Sequence, residues 1–240
     1  MEKTIDATID VKWKNFIRLG GIAPLVTILF YFVEFSLVFI GEYPTTVEGW
    51  LLLFQRSKIL GLLYLNVLDI LSISLLGIMF LALYIVLRRR SESLMVIAAF
   101  LATLGVAMFV TTRSNLTSGT LSLCDQYTTA VTEAQRAQVM IAARAINTLG
   151  QPTLQTAGFI FLVGAVLIIS YVMLRSNFGK ATAWVGLLAS AFTLIDDFCI
   201  VLLPSMTIPM MGIAGIFWIV WWILISRMLL RMSRSDARST

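Results

Sequence analysis

Five acidic or amide side chains fall inside long apolar runs of the sequence, where such groups are rare and usually functional. They are Glu34, Asn66, Asp69, Asp196 and Asp197. Carboxylates at membrane depth can receive a cation, a proton or a cationic small molecule, or serve acid–base or hard-metal chemistry. The 240 residues include no histidine, which removes the commonest general base and zinc ligand. Any chemistry in this chain therefore falls to carboxylates.

The depth of these groups can be counted along the helices that must carry them. At 1.5 Å per residue, Asp69 and Arg113 lie about 27 Å and 28 Å from the basic loop that joins their two apolar runs. Glu34 and Asp196 lie about 21 Å and 24 Å from the same side of the membrane. We therefore expect one polar cluster in the outer half of the bundle, with Arg113 as the cation beside Asp69.

Helical spacing decides which of these side chains share a face. Asn66 and Asp69 are spaced i, i+3, and Ser72 continues their face, which should point into the bundle and away from lipid. Asp196 and Asp197 are adjacent and diverge by about 100° around the helix, so they do not converge on one ion. We expect Asp196 to point inward, on a face that it shares with Ala189, Phe192, Cys199 and Leu203.

Three interpretations of the predicted cluster stay open. In the first, Asp69 pairs with Arg113 and the cluster fixes helix packing. In the second, the carboxylates bind or transport a cation, a proton, or a small-molecule or lipid ligand. In the third, the chain is a membrane-embedded enzyme that uses carboxylates or a metal ion on a lipid or small substrate. A non-enzymatic role is favoured because the sequence has no HExxH, G-x-S-x-G or P-loop motif, and no cofactor is predicted.

The composition indicates that lipid is part of the solvent. Hydrophobic residues make up 59% of the chain and charged residues 13%, against roughly 45–50% and about 25% in soluble domains. The sequence predicts an all-α, polytopic membrane protein, a six-transmembrane-helix bundle in a single domain (1–230) followed by a basic tail (231–240). The predicted spans are 22–40, 59–87, 94–111, 159–174, 183–203 and 208–230.

The distribution of basic residues predicts the orientation. Of 18 Lys and Arg residues, 13 fall on the side of the two termini and 5 on the other. By the positive-inside rule both termini are expected to lie in the cytoplasm. The basic residues mark helix ends and form no single patch, so the lipid bilayer is the expected partner and nucleic acid is not. The oligomeric state stays open.

The outer interval 113–155 is predicted to form two short helices that cap the bundle. Thr132 and Gln135 have the spacing of a capping box, which starts the second helix. Gly150 and Pro152 are expected to end that helix. Its apolar stripe is expected to pack on the bundle, and consists of Ala137, Ile141, Ala145 and Leu149.

The two cysteines, Cys124 and Cys199, have no metal-ligand spacing. We expect both to pack as small apolar side chains. A disulfide between them on the outer side is the alternative.

Short motifs spread along the chain form a recognisable set. The most distinctive runs from Asp125–Gln126–Tyr127 to Arg136. The others are Arg18–Leu19–Gly20–Gly21, Asp69 with Leu83–Tyr84, Leu121–Ser122, Thr132–Glu133–Ala134–Gln135–Arg136–Ala137, and Phe178–Gly179 with Gly186–Leu187–Leu188. Together they resemble a bacterial six-helix integral membrane family catalogued as a domain of unknown function, over nearly the whole chain. The resemblance implies the fold and the plasma membrane, and it assigns no catalytic residue.

Overall fold

The computed structural model describes residues 11–40, 44, 46–64, 67–153, 158, 160–175 and 179–234. Regular structure in these residues is entirely helical. Short 3-10 turns at Val11–Trp13 and Pro204–Met206 precede the first and last α-helices. The α-helices are α1 (Lys14–Ile40), α2 (Val47–Arg56), α3 (Lys58–Tyr64), α4 (Val67–Leu87), α5 (Glu92–Thr129), α6 (Glu133–Thr153), α7 (Ile160–Leu174), α8 (Lys180–Leu202) and α9 (Thr207–Arg234).

Among the described residues, five helical segments are long and apolar enough to cross a membrane. They lie in α1, α4, α5, α8 and α9, and comprise Lys14–Leu37, Val67–Leu87, Glu92–Thr129, Lys180–Cys199 and Pro209–Arg234. The predicted all-helical, membrane-type architecture is therefore confirmed. The remaining predicted span corresponds to α7, which is apolar but has 15 residues, fewer than the roughly 20 that cross a bilayer unaided.

The predicted span 59–87 corresponds to α3 and α4 in the described residues, and Leu65 and Asn66, between the two helices, fall outside them. Two contacts with other helices, which the hydropathy of the sequence does not reveal, hold α3 in place. The Phe54 ring of α2 lies against Gly61, where a Cβ atom would come within 2.8 Å of the ring. The Tyr64 hydroxyl donates a hydrogen bond to the carbonyl of Leu37 in α1, at 3.1 Å.

Helix α2 was not among the predicted elements, although its ends carry ordinary helix signals. The Thr46 side chain accepts a hydrogen bond from the backbone N–H of Gly49 at 3.1 Å, which caps the N-terminus. Glu48 in the first turn and Arg56 in the last complement the helix dipole. The helix ends at Ser57, whose backbone is extended.

Helix α5 has 38 residues and continues well past Thr111, where the predicted third span ends. The first half of the predicted outer interval is thus an extension of this helix. Its hydroxyl side chains bond back to their own helix: Thr120 donates to the carbonyl of Leu116, and Thr128 to that of Cys124, both at 2.8 Å. Because these hydroxyls bond to carbonyls of their own helix, the helix continues where the apolar run ends.

The capping box that begins α6 is confirmed. The Gln135 backbone N–H donates to Thr132 Oγ1 at 3.2 Å, and Gln135 Oε1 accepts from the Thr132 N–H at 3.1 Å. The helix continues through Gly150 and Pro152 to Thr153, so the predicted stop is wrong.

The predicted buried face of α6 is also wrong. Ala137 and Ala145 are exposed, and 68% of Ile141 is accessible. Val139 is buried instead, and the Ile146 side chain packs against Gly119 of α5. Both faces of α6 carry apolar residues. The face that packs is the one with Ile146, whose side chain occupies the space left by the missing side chain of Gly119.

The chain divides into two compact units. Unit 1 comprises Met1–Val26, Leu75–Thr103 and Leu162–Thr240, and unit 2 comprises Thr27–Ser74 and Leu104–Phe161. Helices α1, α4 and α5 therefore each contribute residues to both units. The largest fully buried side chains of unit 1 are Ile17, Met79, Leu83, Leu87, Met95, Ile169, Met173, Trp221, Ile225 and Leu229.

Within unit 1, hydrogen bonds join α9 to α1 and to α8. The Ser226 hydroxyl donates to the carbonyl of Gly21 at 2.5 Å. The Trp218 Nε1 donates to Thr193 Oγ1 at 2.9 Å. Gly186 of α8 has no room for a side chain, because a Cβ atom there would collide with Ser170 of α7 and Trp221 of α9.

The core of unit 2 includes a cluster of Leu51, Phe54 and Cys124 that joins α2 to α5. Cys124 is free and buried there as a small apolar side chain, as predicted. Cys199, in unit 1, is also free and buried, so the alternative of a disulfide is not realised.

Candidate functional site

An ion pair between α4 and α5 forms the centre of the candidate site. Arg113 Nη2 donates to Asp69 Oδ2 at 2.8 Å, and the two side chains are only 16% and 8% exposed. Asp69 lies in the first turn of α4, where a carboxylate complements the helix dipole. The pairing predicted from equal depth along the two helices is therefore found.

Glu34 of α1 brings a second carboxyl group to this ion pair. Its carboxyl group lies within hydrogen-bond range of Asp69 and within electrostatic range of Arg113, and 92% of the residue is buried. Glu34 Oε1 has no hydrogen-bond partner among the described residues. We call Glu34, Asp69 and Arg113 the carboxylate cluster. It holds two carboxyl groups against one guanidinium.

Further polar side chains surround the carboxylate cluster within unit 2. Tyr31, one turn before Glu34, interacts electrostatically with all three members of the cluster. Ser72 and Thr117 lie one turn along α4 and α5 from the ion pair, and both are buried. Their hydroxyls, like Arg113 Nε, have no hydrogen-bond partner in the described part of the chain. Buried polar groups are normally paired, so these orphaned atoms indicate an incomplete polar site.

Helix α1 is fixed beside α4 by a buried hydrogen bond. The Thr27 hydroxyl donates to the backbone carbonyl of Ser72 at 3.2 Å. Thr27, Tyr31 and Glu34 share one face of α1, because their spacing is i, i+4, i+7. This contact holds that face toward α4.

An aromatic side chain supports the cation of the cluster. The Arg113 Cζ lies 5.6 Å from the centroid of the Phe109 ring, one turn earlier on α5. The Phe109 ring in turn lies against Gly158, where a Cβ atom would approach ring atom Cδ2 within 2.9 Å. The missing side chain at Gly158 therefore leaves the space that the ring fills.

Asp196 and Asp197 lie on α8 in unit 1, whereas the carboxylate cluster lies in unit 2. Both are half-buried, and neither forms an ion pair within the described residues. The Oδ1 atom of Asp196 is buried without a hydrogen-bond partner there. That these two aspartates join the cluster stays a prediction. Asn66 falls outside the described residues.

The outer-loop motif residues make local contacts. Asp125 Oδ1 accepts from Lys58 Nζ at 2.8 Å, with 63% of each side chain exposed. Tyr127 packs against the core cluster of Leu51, Phe54 and Cys124. Arg136 pairs with Glu133 in the first turn of α6, at 3.2 Å. The first two contacts tie α2, α3 and α5 together, and the third lies within α6.

Tyr31 and Thr117 are not among the site residues that the sequence predicts. Each lies three or four residues from a charged member of the cluster, on the same helix face. Extending the faces of Glu34 and Arg113 by one turn in each direction would have found both.

The described residues contain no group of three or more Asp, Glu, Cys or His side chains that could hold a metal ion. A cation at the cluster would therefore take its remaining ligands from hydroxyl or backbone oxygens or from water.

A family model described as a domain of unknown function matches residues 25–226, a range that contains the whole carboxylate cluster. No curated protein and no solved structure matches the chain. The match spans most of the 240 residues, which agrees with the resemblance carried by the sequence motifs. The chain belongs to the family of domains of unknown function DUF4386.

Proposed function

We propose that this chain is a non-enzymatic, multi-pass protein of the bacterial plasma membrane that binds a cationic ligand, an ion or a small molecule, at the carboxylate cluster. Transport of that ligand across the membrane is the role that the proposal favours. The single observation that carries it is a second buried carboxyl group, Glu34, beside an ion pair that already uses the guanidinium; its Oε1 atom has no hydrogen-bond partner in the described part of the chain.

Charge supports the proposal. The single guanidinium, that of Arg113, compensates the charge of one carboxylate. That carboxylate is Asp69, which Arg113 contacts at 2.8 Å. An ionised Glu34 is then an excess negative charge in a buried site, and such a charge is costly without a partner. A bound cation supplies the missing partner.

The proposed topology has six crossings, with both termini in the cytoplasm. In it α7 makes the fourth crossing. An even number of crossings agrees with the excess of Lys and Arg on the side of the termini. A fluorescent protein that matures only in the cytoplasm, fused after Thr240, should fluoresce. Alkaline phosphatase fused at the same point should be inactive; the opposite pattern would refute this orientation.

Ligand binding is tested by thermal unfolding of the detergent-purified protein. The probes are the chlorides of sodium, potassium, calcium, choline and spermidine at constant ionic strength. A ligand at 100 times its Kd stabilises the folded state by about 2.7 kcal/mol. At least one probe should raise the unfolding temperature of the wild type and leave Glu34→Gln unchanged.

Glu48→Gln is the matched control, because it removes an exposed carboxylate from α2 with the same change in charge. It should keep the wild-type response. Equal responses of the wild type and Glu34→Gln to every probe would refute binding at the cluster.

A further inference from the structure

We infer that the carboxylate cluster holds a proton, which the Glu34 carboxyl group carries and donates to Asp69. The ion pair of Asp69 and Arg113 stays ionised beside it. The inference deepens the proposed function, and only its last step rests on that function: a cationic ligand that binds at the cluster displaces this proton. The presence of the proton does not depend on that ligand.

The positions of the two carboxyl groups call for a proton between them. The Glu34 carboxyl group lies within hydrogen-bond range of Asp69, and both residues are buried. An ionised carboxylate only accepts hydrogen bonds, so two carboxylates at this separation have no hydrogen to share. A protonated carboxyl group has an O–H to donate, and a carboxylate accepts it in a short, charge-assisted hydrogen bond. One proton therefore turns a repulsive contact into an attractive one.

The guanidinium of Arg113 identifies which of the two groups carries the proton. Arg113 Nη2 donates to Asp69 Oδ2 at 2.8 Å, and the guanidinium is always charged. If Asp69 carried the proton, this buried guanidinium would lose the carboxylate that it contacts. Glu34 forms no ion pair within the described residues and does not replace that carboxylate. The proton therefore belongs on Glu34.

The groups around Glu34 identify the acceptor of its hydrogen bond. Three titratable or charged side chains of the described residues lie within electrostatic range of it, namely Tyr31 of α1, Asp69 of α4 and Arg113 of α5. A guanidinium has no acceptor atom, and the phenol of a tyrosine is a neutral, weaker acceptor than a carboxylate. Asp69 is therefore the acceptor.

The charge of the cluster agrees with a protonated Glu34. The cluster then holds one carboxylate and one guanidinium and carries no net charge, which avoids the cost of an excess charge in the bilayer interior. The Oε1 atom of Glu34 is buried without a hydrogen-bond partner in the described part of the chain. An unpartnered oxygen costs less on a neutral carboxyl group than on a carboxylate.

Infrared spectroscopy of the full chain in detergent detects the proton. Carboxyl groups in contact with water are ionised at about pH 7. A protonated carboxyl group gives a separate C=O stretching band, which shifts when D2O replaces H2O. We expect this band in the wild type and, at equal intensity, in Glu48→Gln. Glu34→Gln should lose the intensity that Glu34 contributes. Glutamine has the size of the neutral acid and can still donate to Asp69, so this variant should keep the wild-type unfolding temperature.

A double variant tests the acceptor. Asp69→Asn with Arg113→Gln removes both charges of the ion pair and leaves the net charge of the chain unchanged. Glu34 should keep its proton, and its band should shift because an amide replaces the carboxylate that accepts the hydrogen bond. An unshifted band would overturn the role of Asp69. A wild type without the band, or a band that keeps its full intensity in Glu34→Gln, would overturn the inference.

Displacement of the proton is tested in weakly buffered solution with a pH indicator. The probes are the chlorides of sodium, potassium, calcium, choline and spermidine. When a cation binds, the O–H bond of Glu34 breaks, its electron pair stays on the carboxylate and the proton leaves to the solvent. We expect the wild type to release a proton for each cation bound and Glu34→Gln to release none.

The two experiments separate the inference from the proposed function. Cation binding that requires Glu34 but releases no proton would overturn the inference and leave the proposed function standing. A Glu34-dependent infrared band in a protein that responds to no cation would support the proton and refute the proposed function. If neither the band nor any cation response depends on Glu34, both fail.

Discussion

The guanidinium of Arg113 lies over the ring of Phe109, with its Cζ atom 5.6 Å from the ring centroid. Its Nη2 atom at the same time donates to Asp69. A cation over an aromatic face is worth from about 0.5 kcal/mol when exposed to about 2 kcal/mol when desolvated. The direction in which the buried guanidinium points is therefore set partly by an apolar neighbour one helical turn away.

Gly158→Ala should disturb this arrangement. The new Cβ would lie 2.9 Å from Phe109 Cδ2, so the ring must move and its support of the guanidinium weakens. We expect the free energy of unfolding to fall by about 1–3 kcal/mol, as in other overpacked sites. Denaturant titration in detergent measures it. Phe109→Leu in the same background should recover part of the loss; a Gly158→Ala variant as stable as the wild type would show that the ring moves freely.

The ion pair between Asp69 and Arg113 predicts strong coupling in a double-mutant cycle. Arg113→Gln leaves a buried carboxylate without its partner and should cost about 3–5 kcal/mol of unfolding free energy. Asp69→Asn should be destabilising too, and the double variant should cost less than the sum of the two by about 1 kcal/mol or more. The measurement is the unfolding free energy of the four proteins. Strict additivity would contradict the contact.

Two glycines of unit 1 offer a matched comparison of crowded and open positions. Alanine at Gly186 would place a Cβ atom against Ser170 and Trp221, whereas no atom of the described residues lies within 4 Å of a Cβ at Gly212. Gly186→Ala should lower the free energy of unfolding by about 1–3 kcal/mol. Gly212→Ala should raise it by up to about 1 kcal/mol, because alanine favours the helix. Thermal unfolding of both variants tests the pair, and similar effects would argue against close packing at Gly186.

The capping box of α6 makes a local prediction. Thr132→Ala removes the acceptor of the Gln135 N–H, and Gln135→Ala removes the reciprocal contact. Each should cost about 1 kcal/mol, within the usual range for an N-cap. Hydrogen exchange in the first turn of α6 should accelerate in both variants. Gln138→Ala, an exposed change in the same helix, is the control and should leave that exchange rate unchanged.

The features that the sequence predicted best depend on constant local geometry. The rise per residue of a helix is fixed, so counting residues from the basic loop is enough to predict that Asp69 and Arg113 lie at the same depth. The capping box depends on four consecutive residues and their own hydrogen bonds. Neither inference required knowledge of what packs against the helix.

The features that were missed depend on partners distant in sequence. A continuous apolar run does not reveal the contacts that hold α3, because the Phe54 ring and the Leu37 carbonyl belong to other helices. The ring of Phe109 beneath Arg113 likewise depends on Gly158, 49 positions further along the chain. Such contacts are decided by tertiary shape, which periodicity does not contain.

The unbroken length of α5 has a mechanical consequence. The helix is held at Arg113 by Asp69, and 12 residues later it is held at Asp125 by Lys58. These two points are separated by about 18 Å of hydrogen-bonded helix. An α-helix over this distance behaves as a stiff rod, so a force that displaces Asp125 also shifts or rotates Arg113. An exposed ion pair and a buried one are thus attached to the same rigid stretch of helix.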